Sequence, residues 1–356
     1  MKKIVFASLA VFALITGCSK SSDDTTTPDF NTTKDAAITD FVNKVALPGY
    51  LELKTKADVL NTAIINLNAT TTDDNLTAAK NAWRDIRSTW ERCEGYLFGP
   101  VEDNEYDPET DTWPVNFNDM DALLASAQPL GLTDIEALTS RALKGYHPIE
   151  YILWGQGGTR TAATLTARQK EYVVSLSAHI KIVADNLYNS WIASGGNYSN
   201  KFLTAGTGST VFVKKQDAFI AITEAMLAIC AEVGEGKMKE PYDAFDPQIV
   251  ESPFSGNSTI DFKNNIIGAF NVYQGKFNDD GVGLQDLVKI RNSALNVQIE
   301  QKFNAAINSF AAITLPYEQA IISQRTQCQA TMTALTELST IIDVDLRAFV
   351  IANITD

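Results

Sequence analysis

The feature that most constrains this chain is a helical period that recurs along most of its length. Val173, Leu176, Ile180, Val183, Leu187 and Trp191 follow one another at steps of three and four. Val288, Leu295, Ile299, Phe303, Ala306, Phe310 and Ile313 keep the same rhythm. So do Cys328, Met332, Leu335, Leu338, Ile342, Leu346 and Phe349. Each set paints an apolar stripe on one side of a helix. Pro316 suits a first helical position, which predicts a helix of roughly thirty residues after it. No run sustains period-two alternation, and the best strand candidate, Thr210 to Val213, is short. The expected fold class is all-α, with long helices packed as bundles.

The chain reads as two helical halves, 35–205 and 206–356. The first opens with a helical stretch from about Asp35 to Ala69, with a break expected near Pro48 and Gly49, and continues with a helix from about Asp73 to Tyr96. A polar loop from Gly99 to Pro114 follows, then helices to about Ala193. Gly195, Gly196, Gly206 and Gly208 mark a connector. The second half has a helix from about Gln216 to Val233, a loop from Pro241 to Ser258, and three more helical stretches. Both halves place a long polar loop before a helix that ends in aromatics and glycine: Tyr151 to Gly155 and Phe270 to Gly275. The pattern reads as an old duplication. Loops this long are uncommon in compact proteins unless they are functional. A pseudo-twofold would bring both to the interface between the halves.

The start of the chain reads as an export signal. Lys2 and Lys3 precede an apolar run from Ile4 to Ile15, too short to span a bilayer at ~20 residues. Leu14 to Cys18 then reads as a lipobox, with 1–17 the signal peptide and Cys18 the lipidated residue. Residues 18–34, rich in Ser, Thr and Asp, are expected to form a disordered tether. Such a lipid anchor would hold the body at an outer membrane, on its periplasmic or cell-surface face. The 356 residues are 45% hydrophobic and 20% charged, a globular composition. Formal charge is −14. Such acidity repels nucleic acid and anionic lipid, so no nucleic-acid partner is expected and the membrane is met only through the anchor. Cys93, Cys230 and Cys328 form no CxxC pattern; their apolar helical settings suggest buried free thiols, although one disulfide is allowed.

The sharpest chemical signal is Gly145-Tyr146-His147-Pro148-Ile149-Glu150. With Pro148 in a first helical turn, His147 falls at the N-cap and Glu150 at the third position. An imidazole and a carboxylate then share a face. The pair suits a divalent metal or an acid–base couple. It equally suits a helix cap, with Glu150 reaching back to the first turn. Two histidines in all, and no HExxH, argue against an ordinary catalytic zinc site. His179 reads as a surface or partly buried helix residue. Trp83, Trp90 and Trp154 read as bundle core.

The Gly-x-His-x-x-Glu motif followed by Tyr151-Ile152-Leu153-Trp154-Gly155-Gln156 closely resembles the signature of the imelysin family. Trp83, Arg87, Trp90, Glu91 and Glu94, running into Phe98 to Val101, look like that family's earlier helix. Asp111, Trp113 and Pro114 resemble its next segment. Lys237, Glu251, Ser252, Phe254, Ser255, Asn257, Asp261, Tyr273 and Gly275 resemble its later motif. This sequence departs from the family pattern at Pro148, and at Gly256, where an acidic residue is commoner; that loss removes an oxygen ligand.

The resemblance implies an exported all-α protein of two bundle-like halves, often a lipoprotein linked to iron uptake. The family is also classed as peptidase M75, with a metal site between the halves. On this reading the metal ligands are His147, Glu150 and Glu94, with Glu91 or Asp261 able to complete the set. Arg87, Ser255, Asn257 and Asp261 orient them or an anionic co-ligand. The expected cofactor is a divalent or ferric ion, iron first and zinc or calcium after it. Expected partners are the metal or a metal-bearing ligand, and other envelope iron-uptake components. Two other readings stay open: a metallopeptidase with Glu150 or Glu94 as base, and a non-catalytic surface interaction protein.

Overall fold

The computed structural model describes residues 29–355. Cys18, the signal segment and most of the expected tether lie outside the described residues. All regular structure among those residues is helical. The helices used below are α1 (Phe30–Asp40), α2 (Leu47–Ala69), α3 (Asp73–Cys93), α4 (Tyr146–Trp154), α5 (Ala167–Trp191), α6 (Lys215–Ala231), α7 (Ser258–Gln274), α8 (Leu284–Arg291), α9 (Ser293–Ser309), α10 (Tyr317–Ser323), α11 (Arg325–Thr340) and α12 (Arg347–Asn353). None is long and apolar enough to cross a membrane.

Local chemistry sets the helix ends. Asp29 caps α1 by accepting from the Thr32 N–H at 2.8 Å, so the last five residues of the expected tether, 30–34, already belong to a helix. Thr72 caps α3, with Asp73 and Asp74 in its first turn. Thr166 and Gln169 form a reciprocal capping box at α5.

The first helical stretch does not break at Pro48. A π-helical turn over Phe41–Ala46 carries α1 into α2, and the Leu47 N–H reaches back five residues to Val42 O. The wider turn accommodates the proline without ending the helix. Two further π-helical turns, Glu232–Met238 and Ile341–Leu346, extend α6 and join α11 to α12. The single long helix expected after Pro316 is instead interrupted at Gln324 (φ −122°, ψ 38°), dividing α10 from α11. Its side chain turns back to accept from the Thr314 and Leu315 N–H groups at 3.0 and 3.2 Å. Thr210 to Val213 forms no strand. Cys93, Cys230 and Cys328 are buried free thiols.

In the first half α2 packs between α3 and α5, and α4 closes against α3 and α5. In the second, α7 packs on α6, α8 and α9, while α11 lies on α6 and α9. The two halves meet where α3 crosses α7. Small residues make this crossing close. A Cβ at Gly268 of α7 would lie 2.3 Å from Arg92 O of α3, and one at Gly95 would lie 2.8 Å from Gly268 C. Gly268→Ala should gain ~1 kcal/mol of helix propensity and lose about 1–3 kcal/mol to overpacking. A net fall in thermal midpoint is therefore expected; an unchanged or raised midpoint would show that the helices yield freely.

Candidate functional site

The α3–α7 crossing positions a buried polar centre. Arg87, Glu91 and Glu94 follow one another on α3 at steps of four and three, so they share a stripe. Asp261 and Asn265, one turn apart, face them from α7. The loop after α3 delivers Asp111, the loop before α7 delivers Glu251, and α4 delivers His147 and Glu150. Lys237 comes from the π-helical turn after α6. None of these nine charged or titratable side chains is more than 6% exposed. The two long loops expected to converge do so here.

Arg87 is the hub. Its guanidinium pairs with Glu91 and Asp111, lies 2.8 Å from Glu251 Oε1, and has Asp261 Oδ1 at 3.9 Å. Lys237 Nζ lies 3.1 Å from both Glu94 Oε2 and Glu251 Oε1. The Asn265 amide donates to Glu91 Oε2 at 2.6 Å and also to Glu94. Ser252 and Asn257 each donate to Asp261 at 2.7 Å. Two indoles of α3 fix the segments that cross it. Trp90 Nε1 donates to Asp111 Oδ2 at 2.6 Å, and Trp83 Nε1 donates to Tyr146 O at 2.9 Å. Both are core residues, as expected, that also hold the site.

The His147 turn differs from its expected register. α4 starts at Tyr146 with Gly145 as its N-cap, so His147 lies inside the first turn and Glu150 one turn further on. Gly145 adopts φ +91°, and a Cβ there would fall 2.1 Å from Thr110 O, next to Asp111. Only glycine permits that approach. His147 Nε2 then lies 3.0 Å from Asp111 Oδ1, and Nδ1 lies 3.6 Å from Glu150 Oε2. Neither ring nitrogen makes an aligned hydrogen bond. Glu150 does not cap its helix. Its Oε1 accepts from Ser255 N at 2.7 Å and Ser255 Oγ at 2.6 Å, tying the first half to the second.

Six carboxylates, Glu91, Glu94, Asp111, Glu150, Glu251 and Asp261, therefore share this buried volume with two permanent cations, Arg87 and Lys237. The surplus is met with protons. Burial pushes Glu91 up to about 8 against the pull of Arg87 and Lys237. Burial also holds Glu94 well above the usual range, despite Lys237, and pushes Asp261 up to about 6. Burial would lower His147, but Asp111 and Glu150 outweigh it and push the imidazole up to about 9. Asp111 moves the other way, because Arg87 and His147 outweigh its burial and hold it below the usual range.

Two overlapping sets of donors emerge. Asp111, His147 and Glu251 offer one atom each within 4.8 Å of one another, and so do Glu91, Glu94 and Asp111. Asp111 belongs to both. Of the ligands expected from the sequence, His147 and Glu94 thus fall in adjoining sets, and Glu150 is engaged by Ser255. Arg87, Asn257 and Asp261 surround the centre, and Ser255 fixes Glu150. Sequence reasoning gave Asp111, Glu251 and Lys237 no ligand or charge role. Their presence in the family-like motifs was the available signal. His179 lies elsewhere, buried on α5 with Nε2 3.4 Å from Glu109 Oε2.

The donor chemistry, one imidazole among carboxylate oxygens, fits a hard or borderline cation such as iron or manganese better than a thiolate-seeking one. Glu150 Oε2 and Glu251 Oε2 accept no hydrogen bond among the described residues. A cation entering would have to displace protons and draw carboxylates from Arg87 and Lys237.

The model of the imelysin family (peptidase M75) matches residues 46–343. Iron-regulated protein A of Synechococcus elongatus is 30% identical over 308 residues, covering 85% of this chain and 82% of that one. A crystal structure from Parabacteroides distasonis, described as an iron-regulated protein A precursor, superposes with a TM-score of 0.83 at 23% identity, covering 91% of this chain and 96% of the other. An imelysin-like protein from Psychrobacter arcticum gives 0.71 at 14% identity, covering 90% and 95%. At these identities the two structures establish the fold alone.

Proposed function

The chain belongs to the imelysin family, and from that premise we propose that it is a cell-envelope protein that binds iron, or a ligand carrying it, at the centre between its halves. The observation that carries the reading is the buried surplus of carboxylates around His147. Desolvated charge of one sign calls for protons or a cation, and this centre offers donors for either. Asp111, His147 and Glu251 would hold the ion. Glu91 and Glu94 form the adjoining set, while Arg87, Asn257 and Asp261 orient the ligands and Ser255 restrains Glu150. The relative named for regulation by iron favours that metal over zinc or calcium. Lipidation at Cys18 would keep the body at the membrane, beside other components of iron uptake.

The metallopeptidase reading has less support. Its proposed bases, Glu150 and Glu94, are 0% and 4% exposed, so a peptide bond has no open approach to them. Cleavage of an unfolded protein substrate that disappears in Glu150→Gln would reverse this preference.

Metal analysis of freshly purified protein, followed by calorimetric titration with Fe²⁺, Fe³⁺, Zn²⁺ and Ca²⁺, tests the proposal. Iron should bind with release of protons, seen as a buffer-dependent heat. His147→Ala should weaken it by at least about tenfold. No binding, or binding unchanged in His147→Ala, would overturn the reading.

A further inference from the structure

Adjoining the buried centre, an open cleft of about 690 Å³ runs between the two halves. Its walls come from the Phe117–Ala125 helix and Gln156 of the first half, and from Gln248, Phe254 and Glu318 of the second. The volume lies within the range of small-molecule sites, roughly 300–1,000 Å³. Its charged lining residues are Asp121 and Glu318, and no Lys or Arg lines it among the described residues. Two of its lining residues, Phe117 and Phe254, are aromatic. Phe117 and Phe254 meet edge to face at 5.6 Å, and Tyr151 packs against Phe254 at 5.2 Å. Gln156 and Gln248 add amide donors and acceptors at the rim.

We infer that this cleft is a binding site for a small organic cation, a ligand carrying a protonated amine beside an aromatic or short aliphatic body. Glu318 supplies the strongest argument. Its Oε2 is buried and accepts no hydrogen bond among the described residues. A carboxylate oxygen withdrawn from water without a donor is destabilised until a donor arrives. An ammonium supplies both the donor and the opposite charge. Phe117 and Phe254, which line the same cleft, favour a cation and offer apolar surface to the ligand's body. Asp121 on the opposite wall repels anions, so carboxylate or phosphate ligands are selected against. The inference does not require metal in the neighbouring centre.

The test is calorimetry on the purified protein at low salt and pH 8. Burial pushes the Glu318 carboxyl up to about 7, so it is ionised there. The probe is lysyl-phenylalanine amide, which carries two amines and a ring; the control is the same molecule with both amines acetylated. The amine form should bind and the acetylated form should bind at least about tenfold more weakly, the effect of losing one charge-assisted hydrogen bond. Glu318→Gln should weaken the amine form by a similar factor, and Asp121→Asn, at an exposed position, should weaken it too. Iron titration should be unchanged in both variants, which separates this site from the buried centre. Absence of binding, equal binding of the acetylated probe, or full affinity in both variants would overturn the inference.

Discussion

Replacing Arg87 with methionine should cost the fold about 3–5 kcal/mol, the largest stability effect expected of any single change in the centre. Methionine fills much of the same volume, so the loss is electrostatic rather than a cavity. The guanidinium is fully buried and faces Glu91, Asp111, Glu251 and Asp261 at once. Without it Lys237 is the only permanent cation among six carboxylates. Because buried charge without a partner is far more costly than the intact pair is favourable, the deficit exceeds what any surface ion pair contributes. For a chain of this size the thermal midpoint should fall by about 5–10 °C. The loss should shrink on acidification, since Asp261, at about 6, and then Asp111 can take up protons in place of the arginine. Denaturant unfolding of both proteins across a pH series measures this. A difference below about 1 kcal/mol at neutral pH would mean that the carboxylates are already neutral and that Arg87 is not the hub.

Asp111→Asn should have the largest effect on metal binding, lowering iron affinity by about a hundredfold or more, because one residue serves both donor sets. The amide also meets a geometric conflict. Asp111 accepts from Trp90 on one oxygen and pairs with Arg87 on the other. An asparagine must turn its NH₂ toward one of these two donors. One buried donor is left unsatisfied, which costs about 1–3 kcal/mol. The stability difference from the parent should depend on pH with a definite sign. His147 has its pKa raised by Asp111, so its contribution is full below the unfolded value of about 6.5 and is lost as pH rises through about 9. Asp111 has its pKa lowered, so its contribution is present above the unfolded value of about 3.9 and lost on further acidification. In metal-free protein the gap should therefore be widest between about pH 4 and 6.5 and narrow toward pH 9. A gap that stays flat across this range would show that His147 and Asp111 are not coupled. Iron affinity equal to that of the parent would remove Asp111 from the ligand set.

Much of this centre could be read from the chain before its fold was known. Arg87, Glu91 and Glu94 lie at helical spacing beside Trp83 and Trp90, and His147 and Glu150 lie one turn apart. Both patterns depend only on positions within one helix. The roles of Glu150 and Asp111 could not be read in this way. Glu150 at the start of a helix is equally suited to capping it, and only the approach of Ser255, 105 residues later, decides against the cap. Asp111 sits in a polar loop among Asp and Glu residues with no period to single it out. Its importance comes from Arg87, 24 residues before it, and from the close approach that Gly145 allows.

By itself the sequence determined the helical class, the start of α3 near Asp73, the buried free thiols and the family. Each follows from short-range periodicity or from a motif that is local in the chain. Tertiary structure alone decided that Gln324 interrupts the last long helix and that a π-helical turn carries the chain smoothly past Pro48. It also decided which of the many carboxylates are buried together. Desolvation acts on groups brought close in space, and Arg87 and Glu251 lie 164 residues apart in the chain.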